Sequence, residues 1–198
     1  MVLDLKKREN KSSLTYAIQN IVVKTSLNIK EGLDLTLLSE KLENANYNKE
    51  RFPGLFTRFK NPKSAFIIFK NGKLILTGLK SFLDIEPIIM RLITSLNQII
   101  STKITKENIE TQVVNIVVTA DFGKKINLDG ASLKLLNSIY EPEVFPGLTY
   151  NISTPVKSVF LIFSTGKVVL TGINQEKYIE PILTDLGRLL KKKMLFRN

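Results

Sequence analysis

The chain contains two copies of one sequence unit, and this repeat constrains the fold more than any other feature. RFPGL at 51–55 returns as VFPGL at 144–148, and NGKLILTG at 71–78 returns as TGKVVLTG at 165–172. The copies are offset by 93 to 95 residues throughout. Units this long indicate a duplicated half-domain and not a solenoid, and they favour a pseudo-twofold symmetric molecule.

Each copy predicts the same order of elements: strand, short helix, three strands, long helix. We expect strands at 17–26, 55–60, 64–70, 73–78, 112–120, 148–152, 157–164 and 167–172. We expect helices at 34–44, 81–100, 129–139 and 174–193. The first helix has Asp34 as its cap and Leu37, Leu38 and Leu42 as its apolar stripe, and Pro87 either starts or kinks the second. The Asn-Gly turn at 71–72 indicates an antiparallel hairpin, so the predicted class is α+β, an antiparallel sheet with helices on one face.

Length and composition bound the kind of protein. The 198 residues divide into a short N-terminal segment 1–14, a first repeat 15–104 and a second repeat 105–198 with a basic end. Charges near the N-terminus and the lack of a long apolar run favour an intracellular chain that does not enter a membrane. The absence of cysteine and histidine removes the thiolate nucleophile, the commonest general base and the commonest metal ligands. Paired carboxylates or a lysine could still serve catalysis, so an enzyme is the last-ranked class, and no metal or cofactor is predicted.

Both faces of the predicted sheet are apolar, which leaves one face without a cover. Phe66, Ile68, Leu74 and Leu76 point one way, and the opposite face carries Ile67, Phe69, Lys73, Ile75 and Thr77. The second copy repeats this division, with Leu161, Phe163, Lys167, Val169 and Thr171 on the uncovered face. Two helices per copy cover only one side of such a sheet. The other side is therefore a candidate binding surface, unless a further layer or a second copy of the chain buries it.

The chain has a net charge of +11, which indicates a polyanionic partner. Some of its basic residues form a rim around the uncovered face. Arg51, Arg58, Lys60, Lys63 and Lys73 flank the apolar set in the first copy, and Lys157 and Lys167 flank it in the second. An apolar floor with a basic rim suits the DNA minor groove, where phosphates line the edges and hydrogen-bonding groups are few. Lys60 is interpreted as a solvated surface charge.

The duplicated FPGL strings, the IF-x-x-GK-x-x-x-TG strings and QNIVVKT at 19–25 with VNIVVTA at 114–120 resemble the TATA-box-binding protein family. The resemblance covers about residues 15–193. It implies a saddle: a curved ten-stranded antiparallel sheet with helices on the convex back and DNA under the concave face. It also implies a non-enzymatic initiation factor that binds and bends TATA-box DNA.

The resemblance assigns roles to individual residues. The four wedging phenylalanines correspond to Phe52, Phe69, Phe145 and Phe163, and the central asparagine pair to Asn20 and Asn115. Residues implied to contact bases and sugars are Val22, Ile67, Ile75, Thr77, Val117, Pro146, Leu161, Val169 and Thr171. Residues implied to contact phosphates are Arg51, Arg58, Lys63, Lys73, Lys157 and Lys167.

The resemblance also implies partners. Glu141 and Glu143, in YEPEVFPG at 140–147, correspond to the loop that binds transcription factor IIB. Other general factors, TBP-associated factors and self-association without DNA belong to the same expectation. The first long helix is poor in basic residues, which puts regulators that use it in doubt. The basic composition and the lack of an acidic tail favour a eukaryotic nuclear protein over an archaeal one.

Two departures from the family pattern bear on DNA binding. Asn151 stands where the second repeat usually has an arginine, equivalent to Arg58, so one phosphate contact is weakened. Pro53 gives both copies the FPG loop, which reduces any orientation preference. Two alternatives remain open: a protein-interaction module that uses the apolar face, and tandem RNA-binding sheets, whose aromatic strand signature is not found here.

Overall fold

A computed structural model describes residues 15–197. Their backbone contacts define two compact units, one formed by Gln19–Ile116 and the other by the residues up to Ile18 together with those from Val117 onward. The expected N-terminal segment 1–14 and Asn198 lie outside the described residues. Both of the longest strands contribute residues to both units.

The elements follow the predicted order in both repeats. The strands are β1 (Thr15–Leu27), β2 (Ala45–Asn46), β3 (Gly54–Lys60), β4 (Lys63–Phe69), β5 (Lys73–Leu79), β6 (Ile109–Asp121), β7 (Ser138–Ile139), β8 (Leu148–Ile152), β9 (Ser158–Ile162) and β10 (Lys167–Ile173). The helices are α1 (Leu35–Lys41), α2 (Ile85–Asn97), α3 (Leu128–Lys134) and α4 (Ile179–Lys192). Short 3-10 turns lie at Phe82–Asp84, Lys106–Asn108 and Glu176–Tyr178.

The strands form one open antiparallel sheet in the order β2-β3-β4-β5-β1-β6-β10-β9-β8-β7. The hairpin predicted at Asn71–Gly72 is present, with Gly72 at φ 77° and its N–H donating to the Phe69 carbonyl at 3.0 Å. The predicted class, α+β with a ten-stranded antiparallel sheet and four helices, is confirmed.

Alternation along the strands separates a buried face from a half-exposed one. In the unit formed by Gln19–Ile116, Phe66, Ile68, Leu74 and Leu76 have no exposed surface. Helix α2 buries a stripe at helical spacing: Ile88, Ile89, Leu92, Ile93 and Leu96. Both sets are buried because α2 packs over this face of the sheet. Each such side chain contributes about 1.5–3 kcal/mol to folding.

The other unit is built in the same way. Phe160, Ile162, Val168 and Leu170 are buried on β9 and β10. They are buried together with the apolar stripe of α4: Ile179, Ile182, Leu183, Leu186 and Leu190. The division of side chains between the two faces, predicted from a period of two, is therefore correct in both hairpins.

The two short helices end earlier than predicted. Helix α1 stops at Lys41 and α3 at Lys134, because the backbones of the next residues, Leu42 and Leu135, are already extended. Two residues later, Asn44 and Asn137 adopt positive φ angles of 54° and 62°. The residues that follow join the sheet as β2 and β7, two-residue strands that the sequence did not predict. A left-handed residue shortly after a helix redirects the chain.

The cap of α1 was predicted correctly, and its apolar stripe in part: Leu38 is buried, but Leu37 is exposed and Leu42 is the C-cap. The Asp34 carboxylate accepts hydrogen bonds from the N–H groups of Thr36 and Leu37 at 3.0 and 3.1 Å. Leu35 and Leu38 are the buried residues of the helix. Leu37 is 38% exposed, because only about two turns are present and their buried side is set by contact with the sheet.

Pro87 lies in the first turn of α2, directly after the 3-10 turn Phe82–Asp84. A proline there displaces no helical hydrogen bond, so it starts the regular helix and does not kink it. None of the helices between residues 15 and 197 is long and apolar enough to cross a membrane.

Candidate nucleic-acid interface

The surface opposite the helices, here called the open face, is lined by half-exposed side chains in each unit. In the unit formed by Gln19–Ile116 they include Val22, Ile67, Ile75 and Thr77. Ile67 lies directly across from Ile75 in the β4–β5 pairing, and Thr77 lies across from Ala65. The register therefore places these predicted contact residues in adjacent rows on one surface.

The second unit carries the equivalent row. Leu161 pairs with Val169, and Thr171 pairs with Val159, in the β9–β10 hairpin. Val117 is half-exposed between two buried residues of β6. Within residues 15–197, no side chain of either set is fully buried, so each remains available to a ligand.

Each unit carries a pair of phenylalanine rings on its open face. The rings of Phe52 and Phe69 are 6.0 Å apart between centroids, and those of Phe145 and Phe163 are 5.9 Å apart. Phe52 and Phe145 are each 37% exposed. All four predicted wedging residues are therefore brought into two pairs, each with an exposed ring from a loop and a half-exposed ring from the sheet.

A glycine makes room for each ring pair. A Cβ atom on Gly54 would lie 2.8 Å from Cε1 of Phe52 and 3.2 Å from Cε1 of Phe69. One on Gly147 would lie 2.7 Å from Cε1 of Phe145 and 3.0 Å from Cε1 of Phe163. The glycine of each FPG loop is thus required by the rings, because any side chain would push them apart.

The turns that carry Phe52 and Phe145 are built alike. The carbonyl oxygen of Asn48 accepts from the N–H groups of Arg51 and Phe52 at 3.1 and 3.0 Å. The carbonyl of Glu141, 93 residues later, accepts from Val144 and Phe145, both at 2.9 Å. Pro53 and Pro146 follow in exposed positions, and the DNA contact of Pro146 stays a prediction.

Asn20 is held by two partners on β5. Its amide oxygen accepts from the backbone N–H of Gly78 at 2.7 Å, and its side chain exchanges a hydrogen bond with the Thr77 hydroxyl at 3.1 Å. Gly78 has φ 97°, at the point where the β1–β5 register shifts. This bulge brings its N–H to the asparagine. Asn115, at the equivalent position of the second repeat, is half-exposed, and its role stays a prediction.

The six predicted phosphate contacts are all exposed: Arg51, Arg58, Lys63, Lys73, Lys157 and Lys167. Among the described residues, no carboxylate lies within ion-pairing distance of any of them. Their charges are therefore available to an external anion.

Strand register confirms the equivalence of Asn151 and Arg58. Arg58 pairs with Ala65 on β4, and Asn151 pairs with Val159 at the matching place on β9. Asn151 is exposed, and its side-chain amide donates to the Asn137 carbonyl at 3.4 Å. The second repeat therefore has a neutral side chain where the first has a cation.

Several open-face residues were missed from the sequence, among them Ala65 and Val159 opposite Thr77 and Thr171 and two larger side chains on β3 and β8. Phe56 on β3 pairs with Ile67, and its ring lies 5.2 Å from that of Phe52. Thr149 on β8 pairs with Leu161. Alternation within β3, where Leu55 and Thr57 are buried, could have identified Phe56 once the strand was known to start at Gly54.

The titrating groups with displaced pKa values lie away from the open face. Burial raises the pKa of Tyr150, which stacks on Phe160 on the helix side. A hydrogen bond to Glu86 raises the pKa of Lys106, which lies in the 3-10 turn before β6. Within the described part of the chain, no group of His, Cys, Asp and Glu is arranged to hold a metal ion.

The chain matches the family model described as "Transcription factor TFIID (or TATA-binding protein, TBP)" over residues 15–99 and 110–193. It is 44% identical over 163 residues to TATA-box-binding protein 2 of Methanosarcina mazei, covering 81% of this chain and 86% of that one. It is 39% identical over 181 residues to the TATA-box-binding protein of Pyrococcus horikoshii, covering 91% and 92%.

A solved structure supports the same assignment. The Methanococcus jannaschii TBP superposes with a TM-score of 0.80 at 40% identity, covering 89% of this chain and 98% of that chain. These relatives are archaeal, so the expectation of a eukaryotic nuclear protein gains no support from them. Sequence identity over most of the chain, the two matched repeats and the shared fold establish that this chain belongs to the TATA-box-binding protein family.

Proposed function

We propose that this protein starts transcription by binding the minor groove of A·T-rich promoter DNA with its open face and bending the duplex. The observation that carries this proposal is the pair of phenylalanine rings on each half of the open face, in two turns that follow the same hydrogen-bond pattern. Family membership supports it independently. The archaeal relatives are consistent with a nucleoid location.

The phenylalanine pairs act as wedges. An exposed ring that enters a base step replaces part of the stacking that the step loses, and the duplex kinks away from it. Phe52 and Phe145 are exposed enough to enter, while Phe69 and Phe163 support them from the sheet. Each unit carries one such pair, so two separate base steps open, and the groove widens over the apolar floor.

Sequence preference arises from the asparagines and from DNA deformability. The amide nitrogen of Asn20 is a donor, and the acceptors of an A·T pair in the minor groove are adenine N3 and thymine O2. A guanine would place its N2 amino group, which is also a donor, opposite the amide nitrogen of Asn20, and two donors cannot form a hydrogen bond. The free energy needed to kink the duplex is also lower for A·T-rich DNA that contains flexible pyrimidine–purine steps.

The six exposed cations bind phosphates along both edges of the groove. Their contribution does not depend on sequence, but it falls as salt rises because each contact releases condensed counterions. Four of these cations lie in the first repeat and two in the second, and Asn151 accounts for one of the two positions at which the second repeat lacks a charge.

Transcription factors bind elsewhere on the protein. We propose that Glu141 and Glu143, both exposed beside the Phe145 turn, contact a transcription factor IIB-like partner.

Regulators that need a basic first long helix are not expected to bind. Arg91 is the only cation of α2. Its guanidinium is already engaged, because it donates to the Asn61 carbonyl and lies over the Phe59 ring at 5.0 Å. In the absence of DNA, self-association through the apolar open face is expected.

A fluorescence bending assay on an end-labelled TATA duplex tests this function. The wild-type chain should bring the two ends of the duplex closer, and the double variant Phe52→Ala, Phe145→Ala should lose that change. Phe59→Ala is the matched control, because Phe59 contacts Phe66 and Arg91 on the helix side. Bending that survives the double variant, or a wild-type chain that leaves A·T-rich duplexes straight, would favour a protein-interaction module instead.

A further inference from the structure

The C-terminal ends of α3 and α4 meet in one unit and form a second exposed surface, away from the open face. The Lys134 side chain, at the end of α3, donates to the Lys193 carbonyl at 3.1 Å. The chain beyond α4 then runs back along the residues before α3, where Asn127 N–H donates to the Leu195 carbonyl and Arg197 N–H donates to the Lys125 carbonyl, both at 2.8 Å. Leu195 is buried beneath this junction.

This surface combines exposed apolar side chains with a concentration of positive charge. Leu133 is 88% exposed, Leu136 86% and Met194 81%. Lys134, Lys193 and Arg197 lie among them, and Lys191 and Lys192 occupy the last turn of α4. We call Leu133, Lys134, Leu136, Lys193, Met194 and Arg197 the α3–α4 patch. Its nearest acid is Asp129, 3.8 Å from Arg197.

The first repeat has no such patch. Helices α1 and α3 start 93 residues apart, so Leu133 and Leu136 correspond to Glu40 and Glu43. Lysine is kept at the position between them, as Lys41 and Lys134. Two acids are thus replaced by two exposed leucines in one repeat only. Leucines exposed to this degree lower the solubility of a protein. Exposed apolar patches beside polar residues are therefore typical of interaction sites.

We propose that the α3–α4 patch docks an acidic, amphipathic protein segment, one that carries aspartate or glutamate beside bulky apolar side chains. The cations of the patch attract its carboxylates, and Leu133, Leu136 and Met194 accept its apolar side chains. Methionine suits such a site because its flexible thioether adapts to different partners. Because only the second repeat carries the patch, one segment binds per chain.

Charge complementarity alone would also fit nucleic acid, but the apolar residues decide against it. A phosphate backbone has no apolar groups that could pack against the three exposed apolar side chains, so these side chains would not contribute to binding it. Protein interfaces, by contrast, are enriched in methionine and arginine around an apolar centre. The patch has the apolar residues, the methionine and one arginine of such an interface, and its two lysines supply the remaining charge.

The test uses fluorescent peptides of about 16 residues, with acids on one side and Leu, Phe or Met at helical spacing i, i+3, i+4 and i+7. Fluorescence polarisation with the full chain should give saturable, salt-sensitive binding. Leu133→Glu with Leu136→Glu, which installs the residues of the first repeat, should weaken binding at least about tenfold. The same variant should bend TATA DNA normally, which shows that it is folded.

Leu83→Glu is the matched control, since Leu83 is another 86% exposed leucine outside the patch, and it should bind the peptides as the wild type does. Four results would overturn the proposal: no peptide binds, the double glutamate variant binds unchanged, peptides with serine in place of the apolar residues bind equally well, or a random-sequence duplex displaces the peptides. The last result would assign the patch to nucleic acid.

Discussion

The side-chain oxygen of Asn20 accepts a 2.7 Å hydrogen bond from the backbone N–H of Gly78, 58 residues away. Because a backbone N–H can only donate, this contact fixes which end of the amide is the oxygen. The NH2 group is then at the opposite end of the amide, and the Thr77 hydroxyl lies 3.1 Å from both the amide nitrogen and the amide oxygen. An asparagine that could rotate freely would offer either a donor or an acceptor, whereas the oxygen of this one is held by Gly78, so in the function proposed above its NH2 is the group that contacts DNA.

Asn20→Asp should therefore abolish selective DNA binding while leaving the fold intact. The carboxylate keeps the acceptor for Gly78 but replaces the donor with a negative charge that faces groove acceptors. We expect a loss of affinity of about a hundredfold or more, from a lost hydrogen bond and a new repulsion. Asn71→Asp makes the same change of charge in the exposed β4–β5 turn and should lower affinity far less. Equal losses in the two variants would show that net charge, not the Asn20 donor, is responsible.

Gly54→Ala should impair bending, because its Cβ would lie 2.7 Å from Cγ2 of Ile67 as well as 2.8 Å from the Phe52 ring. Overpacking of this kind costs about 1–3 kcal/mol, and the exposed Phe52 ring is the group most able to move. Gly147→Ala should act in the same direction on the Phe145 pair. Bending amplitude and thermal unfolding are measured together. A variant that melts below the wild type but bends DNA fully would contradict the role assigned to the ring pair.

Salt dependence measures the phosphate contacts. Six cations predict a slope of about −5 in the plot of log affinity against log salt, and Lys73→Ala with Lys167→Ala should reduce its magnitude by about 2. The matched control is Lys103→Ala with Lys177→Ala, two exposed lysines outside the open face, which should leave the slope unchanged. An equal change in both double variants would indicate a general effect of net charge.

Asn151→Arg should restore the phosphate contact that the second repeat lacks. The side chain is exposed and occupies the register position of Arg58, so an arginine there can extend toward the edge of the groove. We expect affinity to rise several-fold at moderate salt, and the salt slope to steepen by about 1. The reverse change, Arg58→Asn, should do the opposite. If Asn151→Arg strengthens binding without changing the slope, the new side chain does not contact phosphate.

DNA affinity should be nearly independent of pH between about 6 and 8, because the chain has no histidine, the side chain that normally titrates in this range. Fluorescence anisotropy at constant ionic strength checks this. A change of more than about threefold would indicate a titrating group at the interface and would require the site to be revised.

Local patterns predicted most of the open face. Alternation with a period of two separates Ile67 and Phe69 from Phe66 and Ile68 wherever a strand forms, whatever packs on it. The repeat then transfers the same assignment to the second copy without further assumptions. Short elements were harder: two-residue strands such as Ala45–Asn46 have no periodicity to detect, and the buried side of α1 depends on contacts with the sheet.

The repeat, the class of fold, the face on which each hairpin side chain lies and the family all follow from the amino-acid sequence, because they depend on local periodicity and on residues compared across two copies. Three contacts became visible only in the folded molecule: Asn20 with Gly78, the phenylalanine pairs around Gly54 and Gly147, and Lys134 of α3 with the Lys193 carbonyl after α4. Each of these contacts joins parts of the molecule through strand register, a bulge or helix packing. Those are set by the free energy of the whole fold, and no local pattern specifies them.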